Sequence, residues 1–324
     1  MYYFIVNEHG GGGRASKTWR KVKKLIHTSL SEKGESHKAY KSSGPGDAKK
    51  IAEAVCRKIE RDGNGDDKVI VVGGDGTINE VLNGITCFDK LSLGVIPTGS
   101  GNDFARGLGI SKNTEEAFER ILSGENKKRI DLGKTTVFDE EDKPCLERVF
   151  GISSGIGLDA LVCKKVDSSK MKKVLNALHL GSLSYVLTTV MSLFTMHRED
   201  VEIVTTVAGD PDEEQTFSIS KDIFVAAMNC SCEGGGVPMA PNAKVDDGYL
   251  SITAAYNVPT WRAIFVLLAL VTSKHEKSKD FKLWEAKEID LRSESHLTVH
   301  MDGEYGGETN HIKMKVLPGI LEVL

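Results

Sequence analysis

Asp75 lies inside a glycine-rich turn, Gly73-Gly74-Asp75-Gly76-Thr77, where a carboxylate is chemically out of place. Glycines in such a turn let backbone N–H groups approach an anion at the positive end of a helix, but an Asp there repels phosphate unless a metal ion or a hydroxyl proton stands between them. A second turn of the same kind, Pro97-Thr98-Gly99-Ser100-Gly101-Asn102-Asp103-Phe104-Ala105-Arg106, follows one βα repeat later. Gly74, Gly76, Thr77 and Ser100 can donate to phosphate or ribose oxygens, while the absence of any Gly-Lys-Ser/Thr excludes a P-loop. Asp75, Asp103 and Asp131 fall at or just past the ends of successive strands, and such oxygen donors suit a Mg²⁺ ion that keeps its waters. Asp103 reads equally well as a helix N-cap with Asn102, and Asp131 as a structural strand-end residue.

These residues need strands and helices to aim them. Val69 to Val72 is an apolar β-branched run, and after the turn Ile78, Val81, Leu82 and Ile85 recur at helical spacing, so the order is buried strand, glycine turn, helix. Tyr2 to Val6 is a first strand. It leads into a third glycine-rich loop, Asn7 to Arg14, whose Asn7 and Gly11 are candidate nucleotide contacts, and then a helix with Trp19, Val22, Leu25 and Ile26 inward. With strands at 37–42, 69–72 and 92–96 and helical patterns from Ala48 to Ile59 and over 114–122, residues 1–126 make an open parallel α/β domain. Two glycine turns at neighbouring strand ends form one polar crevice.

Beyond Lys127 short β-like runs dominate: Arg129–Val137, Val149–Ser153, Val201–Val207, Thr216–Met228, Tyr249–Ala255, Glu288–Arg292 and Leu297–Met301. Residues 127–315 therefore read as a mainly antiparallel second domain, with helices near 157–166, 174–197 and 259–273. Glu304, in Met301-Asp302-Gly303-Glu304, sits in a tight turn after an alternating strand, and Asp247-Gly248 reads as a hairpin turn.

At 324 residues and 40% hydrophobic content the chain can bury a large core, and a net charge of −4 offers no overall attraction to nucleic acid. No nucleic-acid partner is expected. The six cysteines lack zinc spacing and read as reduced thiols of a cytoplasmic protein. No secretory signal is expected, and the apolar runs at 263–272 and 174–196 fall short of the ~20 predominantly apolar residues of a spanning helix. Lys17, Arg20, Lys21 and Lys24 share a helix face, and Lys164, Lys165, Lys170, Lys172 and Lys173 form a second basic cluster. Each is first a solvated face, and at an anionic membrane each lysine adds about 1 kcal/mol of attraction.

Together, Gly73-Gly-Asp-Gly-Thr-Ile-Asn-Glu80 and Pro97-Thr-Gly-Ser-Gly-Asn-Asp-Phe-Ala-Arg106 resemble the diacylglycerol kinase catalytic domain, whose wider family includes sphingosine and ceramide kinases. The similarity runs on through Ile130-Asp131-Leu-Gly133, Ala240 to Leu250 and Met301 to Glu304. It implies an NAD-kinase/phosphofructokinase-like first domain, completed by 316–324, and a β-sandwich second domain that handles lipid. It brings Gly73, Asn79, Glu80, Asn102 and Ser42 to the nucleotide, makes Glu304 the base that takes the acceptor hydroxyl's proton, and gives Asp247, with the main chain at Tyr249, a second, structural Mg²⁺. Where the family usually has Pro and Lys in the first loop, this chain has Glu8 and Gly12.

The expectation is an ATP- and Mg²⁺-dependent lipid kinase of phospholipid biosynthesis, turning diacylglycerol into phosphatidate in an interdomain cleft. It would be cytoplasmic and peripheral at the membrane, held by its lysines in a salt-sensitive way; a homodimer stays open. Rivals are a kinase for a sphingoid, a phosphatidylglycerol-like lipid or NAD, and a catalytically silent nucleotide-binding regulator.

Overall fold

The computed structural model describes residues 1–10, 13–31, 34–63, 65–168, 189–209 and 212–324. Two compact units emerge, Met1–Leu132 with Pro318–Leu324, and Gly133–Leu317.

The first unit is built on continuous apolar strands. β1 (Tyr2–Val6) pairs in parallel with β2 (His37–Lys41) on one side and β3 (Asp67–Gly73) on the other, and β3 pairs with β4 (Leu91–Pro97). Every residue of β1 and β4 is buried, as expected of parallel strands covered by helices on both faces. α1 (Arg14–Leu25) turns Ala15, Trp19 and Val22 inward and leaves Lys17, Arg20, Lys21 and Lys24 exposed. α2 (Asp47–Asp62) buries Ala48, Ala52, Val55, Cys56 and Ile59. α3 (Asp75–Leu82), α4 (Asp103–Gly107) and α5 (Thr114–Ser123) follow β3 and β4. The end of the chain returns to this unit: Glu322 and Val323 pair in parallel with Ser92 and Leu93, and Ser92 donates to Glu322 at 2.6 Å.

Antiparallel strands make the second unit, a β-sandwich. β5 (Lys128–Phe138) leads in and pairs with β6 (Pro144–Phe150). β7 (Ser153–Gly157), α6 (Leu158–Ser168), β8 (Val201–Val207), β9 (Glu213–Ile219), β10 (Asp222–Met228), β11 (Leu250–Tyr256), α7 (Thr260–Val271), β12 (Phe281–Met301) and β13 (Glu304–Val323) follow. β12 organises the unit, pairing with β11 and β8 along its first part and with β7 near its end. β10 shows why it is apolar throughout: Val225 and Ala227 join the sandwich core, while Phe224, Ala226 and Met228 face the layer formed with α6 and α7.

Four expected strands differ. The two runs at 288–292 and 297–301 are one strand with an irregularity between Arg292 and Leu297. The 216–228 run is two strands broken at Lys221, whose φ is 54°. The 149–153 run breaks after Phe150. Of the helix expected over 174–197, only 189–195 are helical among the described residues, and the rest of that expectation lies outside them. All six cysteines are thiols, four of them buried.

Candidate active site

β3 and β4 end side by side, Gly73 opposite Pro97, and the turns that leave them touch backbone to backbone. A methyl group on Gly74 or on Gly99 would lie 3.0 Å from the other's Cα, so no larger residue fits either turn without movement. Thr98 N–H donates to the Gly73 carbonyl at 2.9 Å and locks the two together.

Asp75 opens α3 and reaches across to α4. Its two carboxylate oxygens accept the backbone N–H groups of Asp103 and Phe104, each at 3.2 Å. The expected cap by Asn102 and Asp103 is thus replaced by a carboxylate from the neighbouring turn. Asn102, at φ 56°, folds its side chain back on Gly99, accepting that N–H at 2.8 Å and donating to its carbonyl at 2.9 Å. Asp103 is buried and ion-paired with Arg106. Asp131 is buried too, and its Oδ1 accepts the Gly319 N–H at 2.6 Å, fastening the terminal strand. Of the three carboxylates expected around Mg²⁺, Asp75 is the one partly open to solvent. The other two have structural partners, because burial of an ionised carboxylate demands them.

Asn7 Nδ2 donates to Thr77 Oγ1 at 3.0 Å, and its own Oδ1 accepts from His9 N–H, so the first loop is tied to the second. Gly11 lies outside the described residues. Ser42 is buried at the end of β2, its N–H on the Val6 carbonyl at 2.9 Å. Asn79 and Glu80, expected beside the nucleotide, make bonds that hold the scaffold. Asn79 is fully buried and accepts from Asn83 on its carbonyl. Glu80 accepts the N–H groups of Gly46 at 2.8 Å and Ala48 at 3.0 Å, supplying the cap that Gly46 cannot. Gly76 and Ser100 are exposed at the tips of their turns, and Gly73 and Gly74 line the joint.

In the second unit Asp302 and Gly303, at φ 50° and 79°, make the two-residue hairpin between β12 and β13. The Asp302 carboxylate accepts the N–H groups of Gly151, Ile152 and Ser153 at 2.9, 2.8 and 3.1 Å, which ends the 149–153 run. Glu304 follows, partly exposed, its Oε2 accepting from Arg148 at 2.7 Å. Asp247 accepts from the Tyr249 N–H at 3.1 Å, and the Tyr249 hydroxyl donates to Asp212 at 2.9 Å. Asp247 and Gly248 form a turn that leads into β11 with no strand directly before it among the described residues, so the hairpin expected there is an isolated turn. Lys164 pairs with Glu308, and Lys165 donates to Ser192; Lys170, Lys172 and Lys173 lie outside the described residues.

One group has no signal in the sequence. His300, fully buried, meets Asp159 Oδ2 at 3.0 Å, and Glu233 lies in the same cluster, held by Ser153 Oγ. Burial alone would lower the His300 pKa, but Asp159 overcomes it, helped by Glu233 and Asp302, and holds it up at about 9. The cluster is one cation between two carboxylates. Asp159 and Glu233 also line an apolar cavity of about 290 Å³ walled by Leu158, Val162, Phe224, Leu267 and Leu270. Strand periodicity puts His300 on the face opposite Leu297, Val299 and Met301, and only the antiparallel pairing of β12 with β7, His300 opposite Gly155, brings it toward α6.

A parallel α/β unit carrying paired glycine turns, followed by an antiparallel sandwich, makes an NAD-kinase-like architecture. The chain belongs to the diacylglycerol kinase family and is a lipid kinase: residues 1–135 match the diacylglycerol kinase catalytic domain, and 152–324 match the YegS C-terminal NAD kinase beta sandwich-like domain. It is 26% identical over 312 residues to "Putative lipid kinase YtlR" of Bacillus subtilis, covering 95% of this chain and 94% of that one. It is 28% identical over 280 residues to a diacylglycerol kinase of Staphylococcus saprophyticus, covering 86% and 82%. Its fold matches a solved structure from Bacillus anthracis, titled a putative diacylglycerol kinase, with a TM-score of 0.73 at 23% identity over 99% of this chain and 96% of that one.

Proposed function

We propose that this kinase uses Mg²⁺-ATP to phosphorylate the primary hydroxyl of a membrane lipid, converting diacylglycerol to phosphatidate. The observation that carries it is Asp75, a carboxylate fixed by two backbone N–H bonds at the joint of two glycine turns. Phosphoryl transfer is mostly positioning and charge stabilisation. In this reading the exposed backbone N–H groups of the turns and the Ser100 hydroxyl hold the phosphates. Asp75, the partly open oxygen donor among the candidate carboxylates, fits a hydrated Mg²⁺, which when bound would neutralise charge on the phosphates. Asp103 and Asp131 keep the turn and the terminal strand in place around it. Glu304, steadied by Arg148, accepts the proton of the attacking lipid hydroxyl.

Diacylglycerol as the acceptor is supported by the names of the relatives and by the apolar cavity of the second unit. Its role in phospholipid biosynthesis follows from that product. The test is incubation with γ-labelled ATP, Mg²⁺ and a mixed lipid extract, alongside NAD, with identification of the labelled product. Labelled phosphatidate is expected. Label in NADP, in a sphingoid or other phospholipid, or ATP binding with no transfer, would overturn the reading.

A further inference from the structure

α7 carries apolar residues all round. Ala263, Val266 and Leu270 pack into the layer under β10 and β11, but Trp261, Phe265, Leu268 and Val271 are 70, 57, 55 and 64% exposed. Their spacing puts them on one stripe of the helix, facing away from the core. In the helical segment 189–195, Met191 and Phe194 are exposed as well. This is a clustered patch of large side chains rather than the scattered single residues of an ordinary surface. No helix among the described residues is long and apolar enough to cross a membrane, and 12 residues of helix reach only ~18 Å.

We infer that this face docks into the surface of a lipid bilayer, with α7 lying in the plane of the interface. Three observations select lipid over another protein. First, the stripe is continuous with the apolar cavity: Leu268 and Val271 belong to both, and Val190 joins the wall from the neighbouring segment. A hydrocarbon layer covers the stripe and can send one chain into the adjoining apolar space. Second, Trp261 stands at the end of the stripe, and indole rings prefer the boundary between headgroups and acyl chains. Third, the turn after α7 exposes Lys274, Lys277 and Lys279, the charge an anionic headgroup layer attracts. Docking of this kind is chiefly apolar, unlike the salt-sensitive attachment that the lysine clusters alone would give.

The inference deepens the lipid-kinase reading, and rests on it only for the identity of the chain drawn into the cavity. Its test is sedimentation with phosphatidylcholine vesicles, with and without phosphatidylserine, at low salt and at about 1 M salt, where attraction between exposed charges is screened. Wild type should bind neutral vesicles at high salt, and Trp261→Glu/Phe265→Glu should weaken that binding roughly tenfold or more with unchanged thermal melting. The same variant should phosphorylate a short-chain, soluble diacylglycerol within about twofold of wild type, since neither side chain lines the cavity. Failure of wild type to bind neutral vesicles at high salt, or equal binding by the variant, overturns the inference. So does light scattering that shows a wild-type dimer broken by the variant without vesicle binding, because a second copy then covers the face. If neither protein phosphorylates the soluble lipid, the kinase reading fails and the vesicle result still decides the docking.

Discussion

Two aspartates do the same mechanical job at very different reach. Asp75 accepts backbone N–H groups from a turn 28 and 29 residues further on, whereas Asp302 accepts three from a corner about 150 residues earlier. In the first unit the candidate groups sit on two turns less than thirty residues apart, joined by the Asp75 bonds; in the second, strands distant in sequence bring single side chains together. The paired turns of the first unit are therefore readable from neighbouring sequence, and the second unit's cluster depends on the register of the whole sandwich.

The sharpest way to break this comparison is Asp75→Asn. The amide's NH₂ cannot accept the N–H of Asp103 or Phe104, so one buried donor loses its partner, costing about 1–3 kcal/mol. Turnover should fall by roughly 10²-fold or more through lost charge and misplaced turns. Activity near wild type would remove Asp75 from the mechanism.

Gly99→Ala asks whether the backbone contact between the two turns matters. Its new methyl would lie 3.0 Å from Gly74 Cα and 2.8 Å from Asn102 Oδ1. Overpacking of this kind costs about 1–3 kcal/mol, and here it should also raise the KM for ATP. A lower melting temperature with an unchanged KM would detach the joint from the nucleotide.

The second unit has a pH signature. Among its described groups, His300 is held at about 9, above its ordinary value of 6.5, so its contribution is complete below that ordinary value and is lost as pH rises through about 9. Asp222, raised by burial from 3.8 to about 7, likewise loses its contribution as pH rises through about 7. The melting temperature should fall between pH 6 and pH 9.5, by the equivalent of about 1–3 kcal/mol. His300→Gln should flatten the upper part of that fall; an unaltered slope would mean that His300 does not carry the charge.

The smallest effect is expected from Ser100→Ala, exposed at a turn tip. Losing one hydroxyl hydrogen bond, worth about 1 kcal/mol, should raise the KM for ATP about fivefold. A change confined to lipid affinity would take this turn away from the nucleotide.

What the sequence made legible follows the same division. Strand–turn–helix order in the first unit is written in period and glycine placement, so β1, β3, β4 and their turns could be read directly. The partners of Glu80, Asp103 and Asp131 could not, because a carboxylate's type and position do not say whether it meets an ion or a backbone N–H. In the second unit the strands were visible as alternating runs, yet the break at Gly151 depends on Asp302, and the His300 cluster depends on the pairing of β12 with β7. The exposed stripe of α7 was hidden for a related reason: its apolar run looks the same whether its outer face is covered or bare.

The central claim is that Asp75 serves the nucleotide and Glu304 the acceptor. Equilibrium binding of Mg²⁺-ATP, measured together with single-turnover transfer to diacylglycerol, tests it in Asp75→Asn and Glu304→Gln. Glu304→Gln should bind Mg²⁺-ATP like wild type and transfer about 10²–10⁴-fold more slowly, while Asp75→Asn should be impaired in both. Full transfer by Glu304→Gln, with an Asp75→Asn protein that binds Mg²⁺-ATP normally and transfers nothing, would make Asp75 the base and contradict the account.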